Sequence, residues 1–209
     1  MSGGRWPRLG IPFSGGGGGP TTVINEDFSG TLAAFANTTG WSIASAHLSA
    51  AAAVNWNAIV HSTDTGNASH WVKATLVTAG SVWCRASVVV RVDSSGNGYG
   101  IYWTQTDIVK FHLTTYAWAS ETTVSTSATQ PANGTVIGVT VDGVAGSGCT
   151  IRVWLNPTTA TPTSASVWGA NAANHSFVMS GTARDGQRIG LLGDDTGGSV
   201  FDDLVAGIF

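Results

Sequence analysis

Very few carboxylates in this sequence could act together as a catalytic pair. Glycoside hydrolysis needs two carboxyl groups on either side of one bond, about 5–5.5 Å apart in retaining enzymes. The only glutamates, Glu26 and Glu121, lie in unrelated segments. Asp202 and Asp203 are adjacent, so in a strand their side chains point to opposite faces and cannot flank one bond. Because no nucleophile elbow or metal-ligand spacing of Cys and His occurs either, we predict that the chain is not an enzyme.

Six other residues have side chains suited to sugar recognition. Aromatic rings can pack against the apolar faces of pyranoses, and polar groups can hydrogen-bond to the hydroxyls. By two-residue alternation the outward set on the middle strands is Arg91, Tyr102, Lys110, His112, Arg152 and Trp154. One interpretation is a glycan-binding platform on a wet sheet face. The other is that Tyr102 and Trp154 pack under a covering loop or against a neighbouring subunit.

A β-hairpin would carry the first of these side chains. Residues 88–92 are β-formers, 93–98 are rich in turn residues, and 99–103 are β-formers again, which is typical of a hairpin. The alternation predicts two faces, one with Val88, Val90 and Val92 and the other with Val89 and Arg91.

Other segments alternate in the same way. Residues 107–114 are predicted as a strand with Val109, Phe111 and Leu113 facing the core. Further alternating strands are predicted at residues 58–61, 71–78, 136–141 and 149–156. Their alternation places on one face, or toward the core, Val72, Ala74, Leu76, Thr78, Ile137, Val139, Val141, Cys149, Ile151, Val153 and Leu155. Many short strands without a convincing helix predict an all-β fold, an antiparallel two-sheet sandwich, over residues 21–209.

Two segments are less regular. Residues 45–54 are rich in Ala, the best helix former, but they have no capping box and no opposed charged face. We predict strand and loop there, with a short helix as the alternative. A loop carrying Trp118 is predicted to precede a short edge strand at residues 122–125.

Residues 1–20 form a separate, extended N-terminal arm. Glycines 15–19 followed by Pro20 make a flexible break between the arm and the domain. Disordered tails usually lack large apolar residues at the density seen here, which favours an arm that becomes ordered against another subunit. A disordered tail or a cloning remnant is the alternative. The apolar residues of the arm are Trp6, Leu9, Ile11 and Phe13.

Composition limits the classes of binding partner and the cellular compartment that we expect for this protein. The net charge of −3 provides no basic surface, so we predict no nucleic-acid partner. No segment has the apolar core of a signal peptide or the length of a membrane span, which predicts synthesis in the host cytoplasm and no membrane-spanning segment. Cys84 and Cys149 are predicted as two buried thiols, and a disulfide between them stays open.

The order of several segments resembles a known family. They are EDFSG (26–30), GWSI (40–43), VVVRVDSSGNGYGIYW (88–103), VTVDG (139–143), CTIRVWLN (149–156) and VFDDLVAGI (200–208). Together they resemble the concanavalin A-like lectin/glucanase jelly roll, the laminin-G-like group included, over about residues 22–209. The resemblance implies a jelly-roll sandwich whose concave sheet can hold carbohydrate. Domains like this behind a short Gly-rich arm look like those of tailed-phage virion proteins.

The resemblance also implies a structural calcium ion. Jelly-roll carbohydrate modules often hold Ca²⁺ with carboxylates from both termini, and hard oxygen ligands suit that ion. The alternative is that these acids form turns and strand ends and accept hydrogen bonds from backbone N–H groups. No other cofactor is expected. The acids concerned are Glu26, Asp27, Asp202 and Asp203.

We therefore predict a non-enzymatic structural protein of a virion, serving as a capsid decoration, fibre or tail component. Its arm would bind other virion subunits within an oligomer or larger assembly, and one sheet face would bind cell-surface glycan. The first alternative is a free-standing, lectin-like carbohydrate-binding module. A polysaccharide-acting enzyme is the third hypothesis.

Overall fold

Strands account for most of the chain that the structure describes. This computed structural model describes residues 20–51, 54–144, 146–180, 184–194, 196 and 198–209, so the predicted arm residues Trp6, Leu9, Ile11 and Phe13 lie outside it. The strands are β1 (Thr21–Glu26), β2 (Phe35–Ala36), β3 (Trp41–Ala44), β4 (His47–Ala50), β5 (Ala58–His61), β6 (His70–Thr78), β7 (Ala86–Val92), β8 (Gly98–Trp103), β9 (Asp107–Thr114), β10 (Ala117–Thr126), β11 (Thr135–Asp142), β12 (Cys149–Leu155), β13 (His175–Met179), β14 (Arg188–Leu192) and β15 (Val200–Ile208).

These strands form two antiparallel sheets. The larger sheet has eight strands in the order β13-β12-β11-β6-β15-β4-β3, with β1 paired to β15. The smaller sheet has seven strands in the order β10-β9-β8-β7-β14-β5-β2. Helical geometry in the described residues is limited to a 3₁₀ turn at Leu32–Ala34 and to Val54. The prediction of an all-β, antiparallel two-sheet sandwich is therefore confirmed.

None of the helices in the described residues has the length and apolar character needed to cross a bilayer. The middle of the Ala-rich segment is the strand His47–Ala50, and Val54 at its end has 3₁₀-helical geometry. Both cysteines are buried free thiols, as predicted from composition.

The core between the sheets is built from alternate residues of facing strands. A buried aliphatic side chain of this kind contributes roughly 1.5–3 kcal/mol. The larger sheet places there the residues that alternation predicted, and these are Val72, Ala74, Leu76, Ile137, Val139, Val141, Cys149, Ile151 and Val153. The smaller sheet adds residues of β7 and β8, among them Val88, Val90 and Ile101.

Each sheet also carries apolar side chains on its outer face. On the smaller sheet a second cluster joins residues of β7, β8 and β9, and Trp56 and Tyr116 pack against it. On the larger sheet the outer cluster consists of Trp71, Trp154 and Trp168, all fully buried. An apolar residue in this protein is therefore not by itself evidence for the central core.

For two strands the predicted side-chain orientation is wrong. Val109, Phe111 and Leu113 belong to the outer cluster of the smaller sheet, so β9 is turned over relative to the prediction. In β7, Arg91 has a backbone φ of 52° and the register shifts beside it, which is the geometry of a β-bulge. The extra residue moves Val92 to the outer face, away from Val88 and Val90.

The bulge directs Arg91 into a buried polar cluster with His70. Arg91 is fully buried, and its guanidinium donates to the carbonyl oxygens of Ala68, Gly143, Val144 and Ser147 at 3.0–3.3 Å. The backbone N–H of Arg91 also donates to Nε2 of His70, at 3.4 Å. The cluster therefore ties β7 of the smaller sheet to loops of the larger one.

The ring of His70 is held neutral in this cluster. Since Nε2 accepts from Arg91, the ring proton must lie on Nδ1, which donates to the carbonyl oxygen of Asn67 at 3.0 Å. Burial lowers the pKa of His70 to about 4, and the charge of Arg91 acts in the same direction.

Acid should destabilise the fold through His70. The unfolded histidine takes up a proton near pH 6.5 but the folded one only near pH 4, so stability is complete above pH 6.5 and falls as the pH drops toward 4. The expected loss is about 3 kcal/mol. Urea unfolding at pH 7 and pH 4.5 should show a smaller loss for His70→Gln than for wild type, with His47→Gln as the control. An equal loss in all three proteins would contradict this origin.

Candidate functional site

The six residues predicted for glycan binding do not share one surface. Tyr102 lies on the outer face of the smaller sheet, whereas Arg152 and Trp154 lie on the outer face of the larger one. Arg91 is buried at the end of the sandwich. The single platform is therefore wrong, because alternation assigns a face only within one sheet and these strands belong to two.

Lys110 and His112 lie on the inner side of β9, not on its outer face. The Lys110 Nζ donates to the carbonyl oxygen of Val178 at 2.9 Å, and Val178 belongs to β13 of the opposite sheet. The His112 ring contacts Tyr99, with 5.2 Å between ring centroids. Lys110 therefore bridges the two layers, His112 packs against a neighbouring strand of its own sheet, and both are directed away from the outer surface.

A long loop covers the outer face of the larger sheet. Trp168 donates from Nε1 to the carbonyl oxygen of Thr159 at 2.9 Å and packs 5.7 Å from the ring of Trp154. Trp154 itself is fully buried and donates to the carbonyl oxygen of Asn171 at 3.2 Å. Arg152 donates to Ala165 of the same loop at 3.1 Å. This face is thus occupied by the protein's own chain.

Three of the four acids considered for calcium have partners of their own, and the fourth, Asp203, donates its backbone N–H to Asp202. Glu26 lies 3.1 Å from His61, and Asp202 lies 3.8 Å from His47. Asp27 accepts from the backbone N–H and the hydroxyl of Ser29, which lowers the pKa of its carboxyl. In the ranges that the structure describes, no three His, Cys, Asp or Glu residues are grouped as metal ligands. Asp27 and Asp202 accept hydrogen bonds from backbone N–H groups, as turn and strand-end acids do, and Glu26 bonds to His61. A calcium ion held by these acids stays a prediction.

An open cleft of about 490 Å³ lies on the outer face of the smaller sheet. Aromatic rings and two acids form much of its lining, together with an amide and several hydroxyls. We call it the tryptophan cleft, and its lining residues are Asn55, Trp56, Trp83, Tyr102, Thr104, Asp107, Val109, Trp118, Glu121 and Thr123.

The edge strand β10 and the loop before β5 position one side of the cleft. β10 runs from Ala117 to Thr126, so Trp118 lies in a strand and not in the predicted loop. The backbone N–H of Trp118 donates to the carbonyl oxygen of Trp56 at 3.0 Å. Asn57 also donates to the carbonyl oxygen of Val54 at 2.8 Å and shapes the turn that presents Trp56.

Trp56 is held in an unusual backbone conformation. Its φ is 58° and that of Asn55 is 50°, both in the left-handed region that bulky residues rarely adopt. Such strain costs on the order of 1–3 kcal/mol and is found where surrounding structure enforces it, often at ligand sites. The strained turn places the Trp56 ring 5.5 Å from Tyr102 and 6.1 Å from Trp118.

Two tryptophans of the cleft have free ring surface. Trp83 is 62% exposed and Trp118 is 37% exposed, whereas Tyr102 beneath them is 4% exposed. Burial of a ring face from water is favourable at roughly 25 cal/mol per Å². The exposed indoles therefore provide binding surface for a ligand with apolar faces.

The polar groups of the cleft are acidic and neutral. The hydroxyl of Tyr102 donates to Oε2 of Glu121. Burial, together with this bonded carboxylate, raises the pKa of Tyr102 well above its usual value, so the phenol stays protonated. The charged residues of the described lining are Asp107 and Glu121. They are not neighbours, because Glu121 pairs with Phe111, four positions along β9 from Asp107.

The sequence reasoning missed Trp56, Trp83 and Trp118. Trp56 and Trp118 lie outside the predicted strands, and Trp83 falls at the start of a strand predicted for residues 82–92 that begins only at Ala86. No core position was predicted for any of the three. A tryptophan in such a segment, without a predicted place in the core, was the available signal. Tyr102 is the one predicted glycan residue that lies in the cleft.

The comparisons with known proteins concern structure alone. No family model and no curated protein matches the sequence. A β-glucanase of Bacillus licheniformis superposes with a TM-score of 0.51 at 10% identity, over 92% of this chain and 99% of that one. The VIP36 exoplasmic/lumenal domain in its Ca²⁺/Man2-bound form gives a TM-score of 0.49 at 9% identity, over 90% and 87%.

A larger protein has a similar domain. A mutant of the GH43 protein BlXynB from Bacillus licheniformis superposes with a TM-score of 0.54 at 8% identity, over 88% of this chain. This chain spans only 39% of the length of that protein. At such identities the likeness shows the fold and nothing finer. The chain is a two-sheet jelly-roll sandwich, and its fold is similar to that of concanavalin A-like lectins and glucanases.

Proposed function

We propose that this protein binds carbohydrate in the tryptophan cleft. The observation that carries the proposal is the exposure of Trp83 and Trp118 beside the hydrogen-bonding groups of Glu121, Asp107 and Asn55. A pyranose presents apolar C–H faces and a rim of hydroxyls, so it needs ring surface and hydrogen-bond acceptors together. The cleft offers both, and an indole loses little conformational entropy when it binds.

The other surfaces support this choice of site. The outer face of the larger sheet is covered by the loop that carries Trp168, and the space between the sheets is filled by the core. The outer face of the smaller sheet leaves open the cleft between β10 and the loops carrying Trp56 and Trp83.

The proposed activity is binding without hydrolysis. Hydrolysis of a glycosidic bond needs two carboxyl groups placed on either side of it. In the cleft, Glu121 accepts the hydroxyl of Tyr102, and Asp107 lies on another strand at a different level of the sheet. Release of reducing sugar from a bound polysaccharide, abolished by Glu121→Gln, would replace this proposal with an enzymatic one.

Removal of either exposed ring should weaken glycan binding. We expect Trp83→Ala and Trp118→Ala each to lower the affinity for the best ligand of a glycan array about tenfold, since a stacked ring is worth more than 1 kcal/mol. Isothermal titration calorimetry measures the effect. Val144→Ala is the matched control, because Val144 is 75% exposed on a loop of the larger sheet. Unchanged affinity in both tryptophan variants would rule out the cleft.

The virion role is a separate hypothesis, supported by the density of large apolar residues in the arm. The arm lies outside the described residues, so its contacts stay a prediction. We expect a chain without residues 1–19 to keep the thermal unfolding transition of the full chain and to lose incorporation into particles. Co-sedimentation with particles measures incorporation, and a shortened chain that still incorporates would exclude anchoring by the arm.

A further inference from the structure

A second depression adjoins the tryptophan cleft on the far side of Trp83. It measures about 350 Å³ and is lined by Val82, Trp83, Thr104, Gln105, Thr106 and Asp107. Trp83, Thr104 and Asp107 line both spaces. Trp83 is therefore a partition between two neighbouring depressions of one extended surface.

The partition is fixed from below. The hydroxyl oxygen of Ser81 accepts from the backbone N–H of Trp83 at 3.1 Å and of Cys84 at 3.2 Å, and this hydroxyl donates to the carboxylate of Asp194. The backbone N–H of Gln105 donates to the carbonyl oxygen of Val82 at 2.8 Å, which joins the two loops of the second depression. Because these hydrogen bonds hold the backbone at Trp83 in place, the partition can favour ligands whose shape fits on both sides of it.

The floor of the second depression is also ordered. The hydroxyl of Thr104 accepts from the backbone N–H groups of Thr106 and Asp107, at 3.2 and 2.9 Å. The Gln105 side chain is exposed above this turn, and Val82 beside it is 47% exposed. The second depression, like the tryptophan cleft, therefore combines a hydrogen-bonding amide with apolar surface.

The charge of the combined surface restricts the ligand further. The described lining of both depressions contains Asp107 and Glu121 but no Lys, Arg or His. A carboxylate or sulfate on a sugar would meet these acids without a compensating cation, and such like-charge contacts oppose binding.

From these observations we infer that the site takes a neutral oligosaccharide chain that crosses Trp83, with rings in both depressions. This inference rests on the proposed carbohydrate binding and adds the ligand's length and charge. A single terminal sugar would fill only one side of the partition. A chain engages both sides and gains the contacts of Gln105 and Val82.

The test uses the full chain and size series of neutral gluco-, xylo- and manno-oligosaccharides, from the monosaccharide to the hexasaccharide, in calorimetric titrations. We expect the affinity in the series that binds to rise at least about tenfold between the monosaccharide and the tetrasaccharide. Gln105→Ala should weaken only the longer ligands. Oligogalacturonides, which carry a carboxylate on every ring, should bind at least about tenfold more weakly than the neutral chain.

The possible outcomes distinguish the proposed carbohydrate binding from the inference about ligand length and charge. If Trp118→Ala weakens binding about tenfold but monosaccharide and hexasaccharide bind wild type equally, and Gln105→Ala changes neither affinity, the chain-length inference is wrong and the carbohydrate site stands. Oligogalacturonides that bind as tightly as the neutral chain would overturn the charge argument in the same way. If no neutral or acidic sugar binds, both the proposed function and this inference fail.

Discussion

Replacement of Arg91 by methionine should lower the free energy of unfolding by about 3 kcal/mol. Arg91 is fully buried, and its guanidinium satisfies the carbonyl oxygens of Ala68, Gly143, Val144 and Ser147. Methionine fills a similar volume but donates no hydrogen bond, so it would leave these acceptors without their donor. Urea unfolding monitored by tryptophan fluorescence measures the loss.

Arg188→Met is the matched control for this result. Arg188 forms an ion pair of 2.9 Å with the exposed Asp64, and a pair of that kind contributes at most about 1 kcal/mol. Arg91→Lys should fall between the two, because an ammonium keeps the charge but cannot reach the same set of carbonyls. A loss below 1 kcal/mol for Arg91→Met would mean that the polar cluster does not tie the sheets together.

Replacement of Trp154 by alanine should destabilise the protein by about 3–5 kcal/mol. The ring is fully buried between the larger sheet and the loop that carries Trp168, with its Nε1–H donating to Asn171. Its removal leaves a cavity and an unpaired carbonyl. Trp83→Ala, which removes a ring that is 62% exposed, should cost less than about 1 kcal/mol.

The two tryptophans should separate stability from binding. The platform predicted from sequence would require Trp154→Ala to lose glycan binding. The structure leads to the opposite expectation, since the tryptophan cleft lies on the other sheet. Trp154→Ala that remains folded should bind like wild type, whereas Trp83→Ala should be stable and bind weakly. Loss of binding in folded Trp154→Ala would return the site to the larger sheet.

Local alternation was sufficient to locate many of the strands. The segments Ala58–His61 and Asp107–Thr114 have the bounds that the sequence predicted. His175–Met179 was not predicted, because its burial alternates over only five residues. The face of a strand that meets the core was harder to predict from the sequence, as β9 shows. Both faces of the smaller sheet carry apolar residues, so the pattern in β9 does not indicate a direction.

The bulge at Arg91 shows a second limit. One residue in the left-handed region shifts the register of β7 and turns Val92 to the outer face. No local feature of the run of valines and arginine indicates this shift. The buried carbonyls that make the position favourable come from loops around Ala68 and Gly143, far away in sequence.

The amino-acid sequence by itself determined that this protein is a two-sheet β sandwich with little helix. Strand formation is indicated by the two-residue alternation of side chains, which can be recognised within a single short segment. Only the tertiary structure decided where a ligand can bind. Trp56, Trp83 and Trp118 come from three separate segments, and the strand order of the smaller sheet brings them to one cleft. That order depends on which strands pair across long sequence separations, and the loop that buries Trp154 depends on the same long-range packing.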